Sequence, residues 1–155
     1  MFHKYNIYYF IDRFDSEEIK NLDKKINIIF RNYKQSDLDH TIRDLSFFCK
    51  KYNQKLFISN NSYLARKYSL NGLYIPSFNK LDNFKNISFK KNFKIIGSAH
   101  NEQEIIIKEK QGCSQIFISP IFKTKKRGKF LDIVRFNKMN LSNPKGIIAL
   151  GGVNE

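Results

Sequence analysis

The residues of this sequence best suited to chemistry recur just after short apolar runs. They are Asp12 and Arg13, Arg31 and Asn32, Asn60 and Asn61, Ser77 and Asn79, Ser98 and His100, Thr124 with its Lys/Arg neighbours, and Gly151 with Gly152. Two of these sets point to anions. Lys123-Thr124-Lys125-Lys126-Arg127-Gly128-Lys129 is a basic loop that suits a phosphorylated ligand, and a solvated charged surface equally well. Gly151-Gly152 lets backbone N–H groups approach an anion closely, although the same pair serves in many folds purely as a turn. His100 is the one histidine at the end of an apolar run. Its imidazole has the right range for acid–base work near neutral pH. With no acidic partner evident nearby, a structural or helix-entry role is the preferred reading. His3 and His40 read as surface residues. No Ser-His-Asp set and no His/Cys metal-ligand spacing is present.

The elements that must position these residues alternate along the chain. Strand-like runs are Tyr5 to Asp12, Ile26 to Phe30, Leu56 to Ser59, Leu73 to Ile75 (stopped by Pro76), Phe93 to Ile96, Ile116 to Ile118 and Gly146 to Leu150. Between them lie helix-like stretches. Asp15 or Ser16 caps one through about Lys25, with Glu17 and Glu18 in its first turn. Ser36 and Asp39 suggest a cap for a second, in which Leu38, Ile42, Leu45, Cys49 and Tyr52 keep helical spacing. Asn61 or Ser62 opens a third through Tyr68. Asn101 with Glu104 opens a helix that Gly112 ends, and Leu131 to Met139 is helical. Residues 78–92 read as an irregular connection with one helical turn. Strict strand–helix alternation implies parallel strands with right-handed crossovers. The strands are short and recur about every 20 to 25 residues, as in barrels, and no Gly-x-Gly-x-x-Gly follows the first strand. The expected fold is therefore α/β: a (β/α)8 TIM barrel in one domain, residues 1–155, with seven βα units and the last unit missing.

Composition narrows the function classes. A chain of 155 residues with 41% hydrophobic content supports one domain with a real core. The net charge of +14 ordinarily raises nucleic acid or an anionic membrane as partner. Only six of the 28 basic residues are arginine, however, and the charge is spread along the chain. Arginine is the residue suited to bidentate base and phosphate recognition, so nucleic acid is not expected as the main partner. Cys49 and Cys113 read as buried free thiols. No segment approaches the ~18 apolar residues of a membrane span, and the N-terminus lacks a signal core. These features predict a soluble, cytoplasmic protein.

Several motifs, in order, resemble the thiamine phosphate synthase and thiazole tautomerase (TenI-like) family. They are Tyr8-Tyr9-Phe10-Ile11-Asp12, Ile28-Ile29-Phe30-Arg31, Leu56-Phe57-Ile58-Ser59-Asn60-Asn61 and Gly72-Leu73-Tyr74-Ile75-Pro76-Ser77. In the second half they are Ile95-Ile96-Gly97-Ser98-Ala99-His100, then Gly112 followed by Ile116-Phe117-Ile118-Ser119-Pro120-Ile121-Phe122-Lys123-Thr124, then Ile148-Ala149-Leu150-Gly151-Gly152-Val153. The resemblance implies a divergent, C-terminally truncated member. Its reaction would join an aminopyrimidine pyrophosphate to a thiazole phosphate in thiamine biosynthesis, pyrophosphate leaving and the thiazole nitrogen capturing a pyrimidine cation. It also implies the roles: Arg31, Asn60 and Ser98 on the pyrophosphate, with Lys126, or Arg127 if the loop register shifts, reaching it from the basic loop. Thr124 and Gly152, beside Gly151, would hold the thiazole phosphate. Arg31, Ser98 and Lys126 would be the catalytic residues, through charge stabilisation.

The chain departs from the family pattern at specific places. Where the family has Gln, Arg and Lys on its second strand, this chain has Ile29, Arg31 and Tyr33, with Lys34 next to them. The family's two Mg²⁺-binding aspartates match Asn61 and Asn79, whose neutral oxygens suit Mg²⁺ less well than carboxylates. Tyr74-Ile75-Pro76-Ser77 replaces His-Leu-Gly-Gln. Ser119-Pro120 stands where the thiazole-isomerising branch carries a histidine, which disfavours that reaction. Three readings follow in rank: a synthase; a non-catalytic relative that binds a phosphorylated pyrimidine or thiazole or regulates a partner; and a basic binding protein sharing only the fold. An unclosed barrel would expose strand edges, so self-association is expected.

Overall fold

The computed structural model describes residues 6–81, 84, 87–122, 130–142 and 146–150. Seven strands follow one another in chain order across a single sheet: β1 (Ile7–Ile11), β2 (Ile26–Phe30), β3 (Leu56–Ser59), β4 (Gly72–Ile75), β5 (Lys94–Ala99), β6 (Gln115–Ile118) and β7 (Ile147–Ala149). The helices are α1 (Ser16–Asn21), α2 (Leu38–Lys51), α3 (Ser62–Lys67), α4 (Glu102–Lys110) and α5 (Ile133–Ser142). Sequential parallel strands with interleaved helices are the order of a (β/α)8 barrel, here with seven strands among the described residues. The chain divides into two compact units. One is Met1–Tyr74 with Phe89–Phe93, the other Ile75–Ser88 with Lys94–Glu155.

In the first unit β1, β2, β3 and β4 pair in parallel, with Ile11 opposite Phe30, Phe30 opposite Ile58, and Ser59 opposite Tyr74. β3 and β4 are buried along their whole length and β2 over all but its first residue. This is why they read as continuous apolar runs rather than alternating ones. The sheet of this unit curls. Tyr8 on β1 meets Phe57 on β3 edge-on at 5.6 Å, and Phe10 on β1 meets Tyr74 on β4 at 5.3 Å. In a flat sheet with strands ~4.8 Å apart, side chains three strands away would stand well beyond that distance. α2 turns Ile42, Leu45 and Cys49 into the core. Its cap is Asp37, whose carboxylate accepts from the His40 N–H, and not the expected Ser36 with Asp39. Asp39 points outward to Lys67 Nζ (2.7 Å) and the Tyr68 hydroxyl (2.8 Å). α1 also ends earlier than Lys25. Leu22 is extended, and Gln54 Nε2 donates to the carbonyls of Ile19 and Leu22, closing the helix end from a distant loop.

In the second unit β5, β6 and β7 pair in parallel. β5 runs to Ala99, three residues past the expected end, so Ser98 lies inside the strand rather than beyond it. Asn101 caps α4 by accepting from the Glu104 N–H, and Glu104 Oε2 accepts from the His100 N–H, a reciprocal arrangement that fixes the entry to the helix. Gly112, at φ 85°, ends α4. The Cys113 N–H returns to the Lys108 carbonyl across it, as the left-handed glycine allows. α5 begins two residues later than expected, at Ile133, behind Asp132, whose carboxylate accepts from the Arg135 N–H. Among the described residues no helix is long and apolar enough to cross a membrane. Cys49 and Cys113 are free and buried, and burial pushes the Cys49 thiol up to about 12, which keeps it neutral.

Candidate functional site

In parallel α/β folds the groups that act on ligands gather at the carboxyl ends of the strands. In the first unit that end is built as follows. The Arg31 N–H donates to the Ile11 carbonyl (2.8 Å), extending the β1–β2 ladder by one residue and fixing the direction of Arg31. Its guanidinium lies over the Phe10 ring at 4.7 Å, a cation–π contact that helps to hold the cation there. Phe10, Ile11, Asp12, Arg13, Glu18 and Arg31 line a cavity of about 210 Å³. Glu18 is engaged by the Tyr9 hydroxyl at 2.7 Å. Asn32 ties the two strand ends together, donating to the Asp12 carbonyl (2.9 Å) and accepting from the Lys34 N–H (2.9 Å).

The end of β3 carries Asn60 and Asn61. Asn60 adopts a left-handed conformation at φ 57°, a turn position that asparagine tolerates better than most residues. Its N–H donates to the Tyr74 carbonyl at 2.9 Å. Asn61 caps α3, its Oδ1 accepting from the Leu64 N–H at 2.9 Å. Tyr33, which the resemblance sets in place of a lysine, bonds its hydroxyl to Ser59 Oγ at 2.8 Å. Tyr33 thus covers the end of β3 and carries no charge there.

In the second unit Ser98 is 5% exposed, and its Oγ accepts from the Ser77 N–H at 3.1 Å. Ser77 Oγ stands 3.1 Å from His100 Nε2, and His100 Nδ1 stands 2.6 Å from the Ser119 carbonyl. A carbonyl only accepts, so Nδ1 carries a proton and donates to it. His100 is therefore built into a hydrogen-bonded frame at the carboxyl ends of β4, β5 and β6. Asn79 closes a turn onto the Pro76 carbonyl (3.1 Å), and its Oδ1 accepts from the Leu81 N–H (2.9 Å).

Of the residues singled out by sequence, Arg31, Asn60 and Asn61 follow strands in the first unit; in the second, Ser98 lies within β5, His100 just after it and Asn79 in the turn beyond β4. Thr124, Lys126, Arg127, Gly151 and Gly152 lie outside the described residues. Three participants were not singled out as binding residues: Arg13 in the cavity wall, Tyr33 over Ser59, and Ser77 bridging Ser98 and His100. Arg13 and Ser77 carried one signal, their position just after an apolar run. The divalent cation expected from the resemblance fits the described residues poorly. Asn61 and Asn79 offer neutral oxygens that each already accept a backbone N–H, and hard divalent cations favour carboxylates. No group of three or more His, Cys, Asp or Glu that could hold a metal occurs among the described residues. The first unit offers an anion the Arg31 cation beside its cavity, and the second unit offers hydroxyl groups held in a hydrogen-bonded frame.

Comparison with known proteins agrees with this geometry. A solved structure, thiamine phosphate pyrophosphorylase from Pyrococcus furiosus, superposes with a TM-score of 0.75 at 18% identity, over 97% of this chain and 77% of that one, and so supports the fold. A curated relative, thiamine-phosphate synthase from Prochlorococcus marinus, is 31% identical over 122 residues, 73% of this chain. The aligned part spans 33% of that relative's length. The family model described as thiamine monophosphate synthase matches residues 20–155, most of the sequence. With parallel strands in sequential order and polar groups at their carboxyl ends, this chain belongs to the thiamine monophosphate synthase family.

Proposed function

We propose that the chain joins an aminopyrimidine pyrophosphate to a thiazole phosphate with release of pyrophosphate, a transferase step of thiamine biosynthesis in the cytoplasm. The observation that carries this reading is Arg31. It is held by the β1–β2 ladder and by the Phe10 ring beside a cavity of about 210 Å³, and the Ile28-Ile29-Phe30-Arg31 run to which it belongs resembles the family's second-strand motif. In the reaction the bond between the pyrimidine methylene carbon and the pyrophosphate oxygen breaks, its electron pair leaving with pyrophosphate. The lone pair of the thiazole nitrogen then forms the new C–N bond to the resulting cation. The chain's contribution is to stabilise the charge that gathers on the departing oxygen. In the first unit Arg31 supplies a charge-assisted donor and Asn60 an amide. In the second, Ser98 donates its hydroxyl hydrogen while its oxygen accepts from Ser77. Lys126 or Arg127 would add a second cation. Thr124, Gly151 and Gly152 would hold the thiazole phosphate through hydroxyl and backbone N–H groups. Two buried free thiols suit a reducing compartment.

A second reading has its own support. By the resemblance Asn61 and Asn79 match the family's Mg²⁺-binding aspartates, and here Asn61 caps α3 while the Asn79 side chain closes a local turn onto the Leu81 N–H. That pattern favours a non-catalytic relative that binds a phosphorylated pyrimidine or thiazole. The deciding experiment incubates the purified chain with both substrates and Mg²⁺, then detects thiamine phosphate after oxidation to its fluorescent form. Product that vanishes in Arg31→Ala supports the synthase. Folded protein that binds pyrophosphate and makes no product supports the binder.

A further inference from the structure

The most unusual group in the second unit is Lys108. It lies on α4 and is fully buried, which lysine rarely is unless its charge is met. Here it is met three times. Nζ donates to the Pro76 carbonyl (2.8 Å), the Asn79 carbonyl (2.6 Å) and Gln111 Oε1 (2.8 Å). Gln111, itself fully buried, turns its Nε2 back to the carbonyls of Asn79 (3.0 Å) and Leu81 (2.7 Å). Two adjacent turns of one helix thus hold the carbonyls of the segment that leaves β4. Room for the lysine stem comes from Gly97. A Cβ built there would stand 2.8 Å from Lys108 Cδ and 2.8 Å from Cys113 Sγ.

The segment that Lys108 holds is the one that reaches the candidate site. Between its two carbonyl anchors, Pro76 and Asn79, lies Ser77, whose N–H meets Ser98 Oγ and whose hydroxyl meets His100. We infer that Lys108 is a positioning residue: its buried ammonium fixes the Pro76–Asn79 turn so that the Ser77 N–H holds one lone pair of Ser98 Oγ and turns the Ser98 hydroxyl hydrogen toward a phosphoryl oxygen. This rests on the reading that Ser98 binds the anionic leaving group. The ammonium needs all three of its hydrogens, because it faces three oxygens. Burial lowers the Lys108 pKa to about 8, against smaller effects of Cys113 beside its stem and Glu104 one turn earlier, which favour the charged form, and of Lys80 on the held segment, which opposes it. Loss of the proton leaves an amine lone pair facing one of the oxygens and slackens the turn.

The test compares the full chain with Lys108→Met, which keeps the stem and removes the donors. Two quantities are read in both proteins at pH 7: amide exchange protection at Ser77 and Leu81, and the Kd for inorganic pyrophosphate. The variant should lose protection at both amides while the Gly97 ladder amide keeps its own, and should bind pyrophosphate about 3- to 10-fold more weakly, the worth of one well-placed hydrogen bond. Unchanged protection at Ser77 overturns the inference, as does an unchanged Kd. If the variant fails to fold, Gln111→Met decides in its place: it removes one of the three oxygens that hold the ammonium, and protection at Ser77 must fall more than at Gly97. If the wild type binds no pyrophosphate, the proposed function fails, while the exchange data still judge the positioning role.

Discussion

The two units use polar groups in opposite ways. At the carboxyl ends of β1 and β2, Arg31 and Arg13 are exposed and line an open cavity, and apart from the Phe10 ring little constrains the Arg31 guanidinium. At the ends of β4, β5 and β6, Ser98, Ser77, His100 and Lys108 are half-buried or buried and spend their hydrogen bonds on one another and on backbone carbonyls. The first arrangement gives charge that a ligand can reach. The second gives direction, since an N–H fixed on the Ser98 oxygen restricts how that hydroxyl can turn. Charge without preorganisation is weakened by water and by the cost of ordering the side chain.

That contrast can be broken experimentally. Arg31→Ala should lower kcat/KM for thiamine phosphate formation by about 10²–10³-fold, the usual loss when a donor to developing negative charge is removed. Ser98→Ala should cost about 10-fold or less, as a neutral hydrogen bond does. Equal losses in steady-state assays would erase the distinction between charge and direction. Gly97→Ala asks whether the second unit is as tightly built as its bonds suggest. The added methyl would press on Lys108, Cys113 and the Ile75 carbonyl, and chemical denaturation should show a destabilisation of about 1–3 kcal/mol. A neutral result would mean that the lysine stem yields.

Smaller effects are expected where a residue serves local structure. Asn61→Ala should lower stability by about 1 kcal/mol through loss of the α3 cap, whereas Asn61→Asp should keep the cap. The slightest effect concerns Asp39. Hydrogen bonds from Lys67 and Tyr68 hold its carboxyl below the usual aspartate range. A depressed pKa means that the stabilisation is present above the unfolded value and is lost as pH falls through the folded one. The group is fully exposed, so an acid titration of Asp39→Asn against wild type should separate the two curves only slightly, and only at acid pH.

Much of the first unit could be read in the sequence because its signals are local. β2 and β3 have the expected bounds, since their apolar runs are continuous and flanked by polar turns. The spacing of Ile42, Leu45 and Cys49 marked the buried face of α2. The second unit was harder. β5 was cut short because Gly97 and Ser98 look like loop residues, yet one makes room for a lysine stem and the other finds its donor in Ser77. Lys108 sits in Glu102–Lys110, a charged helix in which any lysine reads as solvated. Its burial depends on carbonyls some thirty residues earlier in the chain. Long-range polar satisfaction has no period, and so left no pattern to detect.

The interleaving of the two units limits how the chain can be dissected. Phe89–Phe93 belongs with the first unit although it follows the opening of the second. It brings a stacked Phe89–Phe93 pair at 3.9 Å, and Lys90 Nζ donates to the Ser69 carbonyl at 2.6 Å. A cut after Tyr74 would release a piece stripped of that lid, with its Ser69 carbonyl left to water. The halves are therefore not interchangeable modules. Recombining either with a half from a relative would require exchanging two separate stretches of sequence at once.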